Sequence, residues 1–531
     1  MSSMTGQTAI PARIVIGVTG HRRLENEAFL ASEVAGVLEK IKNLLPPLKR
    51  TPVAFTVLSP LAEGADRLMA QVILGTTGAQ LDVILPMGKE DYAADFTLPD
   101  SQAEFEELFA KSRKSRQLSP SPSRTEAYAR AGRYTVDHCD VLIAIWDGEA
   151  GNGQGGTWEV VSYARTKQCP LFWIRADGRA ETTFEPGRGI NVRTFEDLDA
   201  FNSERVDKRR VGEKLRERCA DLQKKARDTG FPLGRVHDTC SDVLSHYFRT
   251  DILALRYQHI HYKAGSFVYA LATGAVATAA FQALFFPGWS HLALVEVVLI
   301  GAVLAIVWLG HRRSWHAKWI DYRFLAERFR SAFFLALSRV EVTAPRPPRH
   351  LSLAYSSKDW MITAFMSFWR GLPRLKPFGR ADFARLRSFI LDAWIEDQIR
   401  YHQGTAGRHR RRHRRLARIG NVLFGLTFAA AFLHFIGLGG EFLGRLLLFL
   451  AIVSPAVAAS LGAVRTHREY LRNAQRSQEM ARHLQELKAR MKEAQDLESF
   501  LPLVQEAEEV MLQENADWRV VVRFHELEPP A

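Results

Sequence analysis

Three clusters that combine glycine with charged or hydroxyl side chains hold most of the residues here that could do chemistry. The first, Gly17-Val18-Thr19-Gly20-His21-Arg22, closes the apolar run Arg13–Thr19. The second, Glu63-Gly64-Ala65-Asp66-Arg67, follows the apolar run Val53–Leu58. The third, Gly153-Gln154-Gly155-Gly156-Thr157-Trp158-Glu159, follows Val141–Trp146 and Asp147. Glycine lets backbone N–H groups approach a phosphate, and a helix N-terminus behind it favours an anion. The candidate nucleotide-binding residues are therefore Gly17, Thr19, Gly20, His21, Arg22, Glu63, Gly64, Asp66, Arg67, Asp147, Gly155, Gly156 and Thr157. Arg22 or Arg67 would hold phosphate. His21 either polarises a phosphate or ribose oxygen or is a solvated turn residue. Asp147 holds a ribose hydroxyl or a metal, or caps a turn. Thr157 sits where an N-cap would accept from helix amides, with Glu159 in the first turn facing the same crevice. Each cluster alone is also what an ordinary strand-to-helix turn looks like, its carboxylate a helix-dipole partner. Their joint placement is the stronger signal.

The elements that must position these residues follow from hydrophobic spacing. RIVIGVT, VAFTVL, LDVIL (81–85), VLIAIW and PLFWI (170–174) are short continuous apolar runs, the pattern of strands buried on both faces. Glu25–Leu45, Gly64–Leu74, Arg124–Asp137 and Thr157–Lys167 have helical spacing and alternate with them. The stretch between residues 86 and 123 is polar and predicts loops. The fold class is an α/β Rossmann-like parallel-sheet domain, and all three clusters fall past the carboxyl ends of its strands, where open sheets bind ligands.

Four apolar stretches follow: Gly265–Phe286, Leu292–Gly310, Ile419–Gly437 and Leu446–Val464. Each is about the ~20 residues a helix needs to cross a hydrocarbon core. Glu296 is the one charged residue inside them. They predict an α-helical membrane domain with four transmembrane helices in two hairpins and long cytoplasmic helices beyond. A pair of buried core hairpins in a soluble protein is the alternative. The formal net charge is +13, and its location decides its meaning. The loop Pro287–His291 has no Lys or Arg, and Leu438–Arg445 has only Arg445, whereas Arg312, Arg313, Lys318, Arg465 and Arg468 follow the spans. The positive-inside rule then puts both short loops outside and both termini in the cytoplasm, in an inner-membrane, multi-pass arrangement. The run from Arg408 to Arg415 fits a juxtamembrane anchor for anionic headgroups better than a nucleic-acid patch, so no specific nucleic-acid binding is expected. Cys139, Cys169, Cys219 and Cys240 form no CxxC pair, so reduced thiols and no metal site are expected. Met1–Pro11 lacks an apolar region, so no cleaved signal peptide is expected.

The expected organisation is a flexible N-terminus (1–11), the α/β domain (12–178) and a charged helical connector (179–250). A first two-span module (251–345), a cytoplasmic linker (346–407), a second module with its cytoplasmic helix (408–500) and a tail (501–531) complete it. Asn202–Lys225 and Tyr470–Gln495 read as helices, and Arg519–Phe524 as a short β-like run. The two hairpins share an order of parts: basic pre-helix, span, short loop, span, long helix. That points to an architectural repeat.

The glycine clusters resemble those of the SLOG superfamily, which includes the LOG phosphoribohydrolases and DprA-like proteins. Gly17–Arg22 resembles its first glycine loop, Glu63–Arg67 an EGAD-R loop, and Gly155-Gly156-Thr157-Trp158-Glu159 the GG-GT--E signature of LOG enzymes. The likeness covers roughly residues 12–178, and the third motif is contracted relative to the enzymes. It implies a nucleotide or nucleotide-derived ligand, no required cofactor, and Glu159 at the catalytic glutamate's position. The membrane half resembles SLATT domains, two-span effector modules attached to SLOG domains. That likeness implies a membrane effector in bacterial conflict or antiphage defence, forming a pore when the sensor binds its nucleotide. A pore implies a homo-oligomer, because four spans do not readily enclose one alone. Two other functions stay open: a membrane-anchored nucleotide N-glycosidase using Glu159, and a membrane scaffold whose α/β domain has lost its ligand.

Overall fold

The computed structural model describes residues 9–97, 100–150, 156–177, 181–340, 359–372, 375, 382–437 and 440–523. They fall into two compact units. The first runs to Glu204 and takes in a further helix as far as Arg370.

Its sheet has β1 (Ala12–Gly20), β2 (Val53–Ser59), β3 (Gln80–Leu85), β4 (Lys114–Gln117), β5 (Val141–Trp146), β6 (Leu171–Arg175) and β7 (Thr183–Glu185). The order is β4-β3-β2-β1-β5-β6-β7, parallel except for β7. Val15, Leu58, Ile84, Leu142 and Ala144 share a buried cluster with side chains of α5 (Arg124–His138) and α6 (Thr157–Thr166). Leu30, Val34 and Ile41 of α1 (Glu27–Asn43) and Met69 and Ile73 of α2 (Ala65–Leu74) are buried too. The strands are apolar on both faces because helices cover both.

The polar stretch expected as loops holds structure: α3 (Lys89–Ala93), α4 (Ser101–Lys111) and the edge strand β4. Its sequence, KSRQ, has no apolar alternation because an edge strand needs none. After β7 comes α7 (Val192–Ser203). Its Asp199 carboxylate accepts from the amides of Lys49 and Arg50 at 3.0 and 2.8 Å, and Asn202 Nδ2 donates to the Ile10 carbonyl at 2.9 Å. Asn202–Lys225 is therefore not one helix. The chain breaks after Ser203, and α8 (Lys208–Thr229) restarts with Asp207 capping the amides of Arg209 and Arg210.

The second unit is helical. α9 (Leu233–Thr239) passes through a π-helical turn, Cys240–Leu244, into α10 (Ser245–Phe285), giving 53 continuous helical residues. α11 (His291–Arg312) returns, and α12 (Trp315–Ser338) follows a break at Ser314, whose φ is 50°. α13 (Trp360–Gly371) belongs to the first unit as far as Arg370; its Ser367 hydroxyl donates to the Pro11 carbonyl at 2.6 Å. The helical pattern then repeats. α14 (Phe383–Ile390) passes through a π-helical turn, Leu391–Glu396, into α15 (Asp397–Phe435), again 53 residues. α16 (Glu441–His467) returns, and α17 (Tyr470–Glu493) follows a break at Glu469, whose φ is 48°. α12 and α17 are each 24 residues long. α18 (Leu497–Arg523) closes the unit. Residues 519–523, expected as β-like, are helical: nothing between Met511 and Arg523 breaks a helix, and the weak strand preference of valine does not override continuation.

Among the described residues four helices are long and apolar enough to cross a membrane. Their side chains exclude the soluble-core alternative: Val422, Phe428 and Phe435 are 71%, 74% and 85% exposed, and Leu294 and Val297 behave likewise. The hairpins pack through α10 and α16, where Ser460 Oγ meets Thr273 Oγ1 and donates to the Tyr269 carbonyl at 3.1 Å. Within span one Gly274 lies against Leu299, while Ala270 is exposed.

Gly20 sits where a strand end, α2 and β5 meet. A Cβ there would overlap the Ala65 side chain and come within 2.7 Å of the Ile145 carbonyl oxygen. Gly20→Ala is expected to destabilise the α/β unit by about 1–3 kcal/mol, an overpacking cost. Thermal unfolding of the full chain in detergent checks this; an unchanged transition refutes the close packing.

Candidate functional site

In this sheet the strand order reverses between β1 and β5, and ligands of open α/β sheets bind outside the carboxyl ends at such a point. His21 and Asp147 leave those two strands and meet there. The Asp147 amide donates to His21 Nε2 at 3.1 Å, and the Asp147 carboxylate lies 3.2 Å from the same nitrogen. A neutral ring accepts the amide; a protonated ring would pair with the carboxylate instead. Asp147 also accepts from the Glu149 amide at 2.9 Å, a turn cap.

Gly64 has φ +79°, and a Cβ on it would collide with the carbonyls of His21 and Arg22. Glycine there lets the β2–α2 loop lie against the β1–α1 loop, and the Ala65 amide donates to the His21 carbonyl at 3.0 Å. Gly17 plays a packing part, with Cys139 and Thr135 2.9 Å from where a Cβ would be. Thr19, at the carboxyl end of β1, is buried.

The charged residues of the first two motifs divide. Arg22 is exposed, with its guanidinium 5.5 Å from the centre of the Tyr128 ring, and it also hydrogen-bonds that tyrosine. Arg67 is turned inward. Its guanidinium donates to the carbonyls of Leu61 and Ser101, to the Ser101 hydroxyl at 2.7 Å and to Glu104 at 3.0 Å. It fastens α2 to α4. Glu63 accepts from the Thr97 amide at 2.7 Å. Asp66 is buried and bonded to the Ala62 amide and the Ser59 hydroxyl; burial pushes its carboxyl up to about 7, against the pull of Arg67 and Arg22.

Beside Asp66 are groups with no motif signal. Tyr92 of α3 is 1% exposed, and its hydroxyl has no hydrogen-bond partner among the described residues. Its electrostatic neighbours are Asp66, Tyr128, Arg22 and Arg67. Tyr128 of α5 donates to Asp95, which Arg124 also holds at 2.5 Å. Tyr92 and Asp95 come from the stretch expected as loops, whereas Tyr128 and Arg124 lie on the helix expected over Arg124–Asp137.

In the third motif the helix register differs from the expectation. Gly156, not Thr157, is the N-cap of α6, and Thr157 is the first helical residue. Glu159 lies in the first turn, 4.0 Å from Arg133 of α5. Gly155 lies outside the described residues. Among the described residues no group of three metal-ligating side chains has metal-site geometry.

Protonated Asp66 predicts a pH effect. Between about pH 4 and about pH 7 the folded unit holds one proton more than the unfolded chain. Stability therefore falls as pH rises, by up to about 1.4 kcal/mol per unit, and levels off above about 7. Asp66→Asn should remove that slope in melting curves recorded from pH 5 to 8. An unchanged slope would show that Asp66 is ionised throughout.

No curated protein matches the chain. Residues 391–518, from the second π-helical turn into α18, match the family model described as SMODS and SLOG-associating 2TM effector domain 1. The chain is thus a multi-pass membrane protein with an α/β unit ahead of four candidate spanning helices, the last two of which lie in the segment matching this membrane effector family model.

Proposed function

We propose that the chain is a nucleotide-sensing membrane effector of bacterial conflict or antiphage defence. Its α/β unit takes a nucleotide or nucleotide-derived signal at the β1/β5 crevice, and binding shifts the packing of the spans to open or perturb the membrane. The observation that carries this is the meeting of His21, Asp147 and the exposed Arg22 at the point of strand reversal, in a chain that also carries a membrane effector domain. The Gly156 end of α6 offers amides for a phosphate. The ligand must prefer one packing of the helices to do this work. The first hairpin repeats the order of elements of the second, so it serves as a second module of the same kind. Both termini lie in the cytoplasm of an inner-membrane protein, and copies assemble so that their spans enclose a path.

A second reading draws on Asp66. A buried carboxyl that stays protonated near neutrality can serve as an acid in N-glycoside cleavage. Glu159, facing Arg133, is the weaker candidate for that task.

A nucleotide panel added to the full chain in detergent tests both. A ligand at ~100 times its dissociation constant should raise stability by about 2.7 kcal/mol. Arg22→Ala with His21→Ala should weaken binding about tenfold, and the same ligand should release dye from loaded liposomes. Binding without release would refute the membrane-opening step. Release of free base, lost in Asp66→Asn, would establish the enzyme. No ligand across mono-, di-, cyclic and ADP-ribose-type nucleotides would overturn the proposal.

A further inference from the structure

The helical unit has a cavity of about 570 Å³ walled by α8, α10, α12 and α15. A second, of about 260 Å³, opens beside it and shares Leu255, Arg323, Arg330 and Tyr401. Together they match the ~300–1,000 Å³ of small-molecule sites.

The walls are charged in an unbalanced way. Arg218, Arg323, Arg330 and Arg400 line the first cavity, and Arg408 and Arg476 the second. Three carboxylates share these walls: Asp251, Asp397 and Glu327. Arg218 reaches Asp397 at 2.8 Å, Arg323 reaches Glu327 at 2.5 Å and Asp251 at 3.4 Å, and Arg330 also meets Glu327. Arg218 also meets Asp221 at 2.8 Å, and Arg400 lies 3.9 Å from Asp397, so six guanidiniums line these walls against three lining carboxylates. Partly buried like charge is costly unless an anion shares it.

Buried polar atoms point the same way. Gln398, 5% exposed, lines the larger cavity, and its Oε1 has no hydrogen-bond partner among the described residues. His402, 6% exposed, lines the smaller and leaves Nδ1 in the same state; Arg330 leaves Nε. The guanidinium donor calls for an anion. The Gln398 acceptor calls for an N–H or O–H, which an ionised phosphate lacks and a base or sugar supplies. Tyr247, Phe248, Phe333, Phe334 and Tyr401 add ring faces and edges for a planar group.

We infer that this cavity binds a soluble nucleotide carrying at least two phosphates, with the phosphates on the arginines and the base or sugar on Gln398 and the rings. The site is separate from the α/β crevice. A lipid phosphate would have to reach it from the membrane. In the larger cavity Leu255, its lining residue of α10 nearest the span, precedes Gly265 by ten residues, about 15 Å of helix, whereas the smaller cavity reaches Tyr262, three residues before it. The cavity touches the stems of the effector directly: α10 and α15 continue as spans, and α12 follows one.

The test is calorimetric titration of the full chain in phosphatidylcholine nanodiscs with ATP, GTP and cyclic diguanylate, and inorganic triphosphate as competitor. Arg400→Glu suits it, because that side chain is 58% exposed and its ion pair with Asp397 is long, at 3.9 Å. Gln398→Leu removes an acceptor that is already unsatisfied. At least one nucleotide should bind, with triphosphate displacing it. Arg400→Glu should weaken the nucleotide at least tenfold, and Gln398→Leu should weaken the nucleotide but not triphosphate. Absence of binding, or affinity unchanged in both variants, overturns the inference. Binding lost in Arg22→Ala yet intact in Arg400→Glu places the ligand in the α/β crevice and overturns it too. Competition from diphosphatidylglycerol in the nanodisc would make the occupant a lipid phosphate and refute the soluble ligand.

Discussion

A helix that enters a bilayer cannot leave backbone groups unpaired, so the hydrogen-bond ladder must run unbroken through the hydrocarbon. In this chain it also runs on into water. The helices 233–285 and 383–435 carry their ladders from the charged region below, past a single π-helical turn, to the far end of a span. That continuity makes the rest of the helical unit consequential. A side chain at Asp251 or Asp397 is rigidly tied to apolar residues tens of ångströms away, at about 1.5 Å per residue. The returning helices lack this continuity. Both break at a left-handed residue, Ser314 or Glu469, before their charged helices begin. Each hairpin thus has one rigid arm and one jointed arm.

The charged layer is where two such arms can be held together or pushed apart. Glu327 shows the balance. Burial pushes its carboxyl up, but Arg323, Arg330 and His402 bring it below the usual range, so it stays ionised. Its partners come from α12 and α15, one from each hairpin. A buried ion network of this kind contributes little net stability, yet removing one member leaves an expensive charge behind. Such a layer suits two arrangements of similar energy better than one deep minimum. In the proposed function, an anion that took over an arginine would change which arrangement wins, and it would need no contact with the membrane.

How much of this was legible in the sequence follows from what each element owes to local pattern. β1, β2, β3, β5 and β6 were visible because strands covered on both faces must be continuously apolar, and the spans because lipid permits little else. β4 and α4 were not, since an exposed edge strand and a helix with few buried residues carry no sharp period. Gly64 declared itself through a conformation only glycine holds easily. Arg67 did not: an arginine in a motif looks the same whether it meets a phosphate or the Ser101 hydroxyl, and only the fold turns it inward. Thr157 missed the cap by one residue because glycine can take that place without a side-chain bond.

The arginine-lined cavity lies beyond any local pattern. Its walls come from residues spread between Arg218 and Arg400, on helices that in sequence look like solvated charged faces around two hairpins. A charge run in a linear reading is neutral as to partner. What gives it direction is convergence, and convergence here is a product of the repeat. The cavity takes Arg323 and Arg330 from α12 of the first copy and Arg400 from α15 of the second, on walls to which α10 adds Asp251. Two modules built to the same plan therefore enclose positive charge that neither encloses alone. A single hairpin anchored to an α/β unit would have a stem but no such enclosure, which gives the duplication a physical consequence beyond two extra spans.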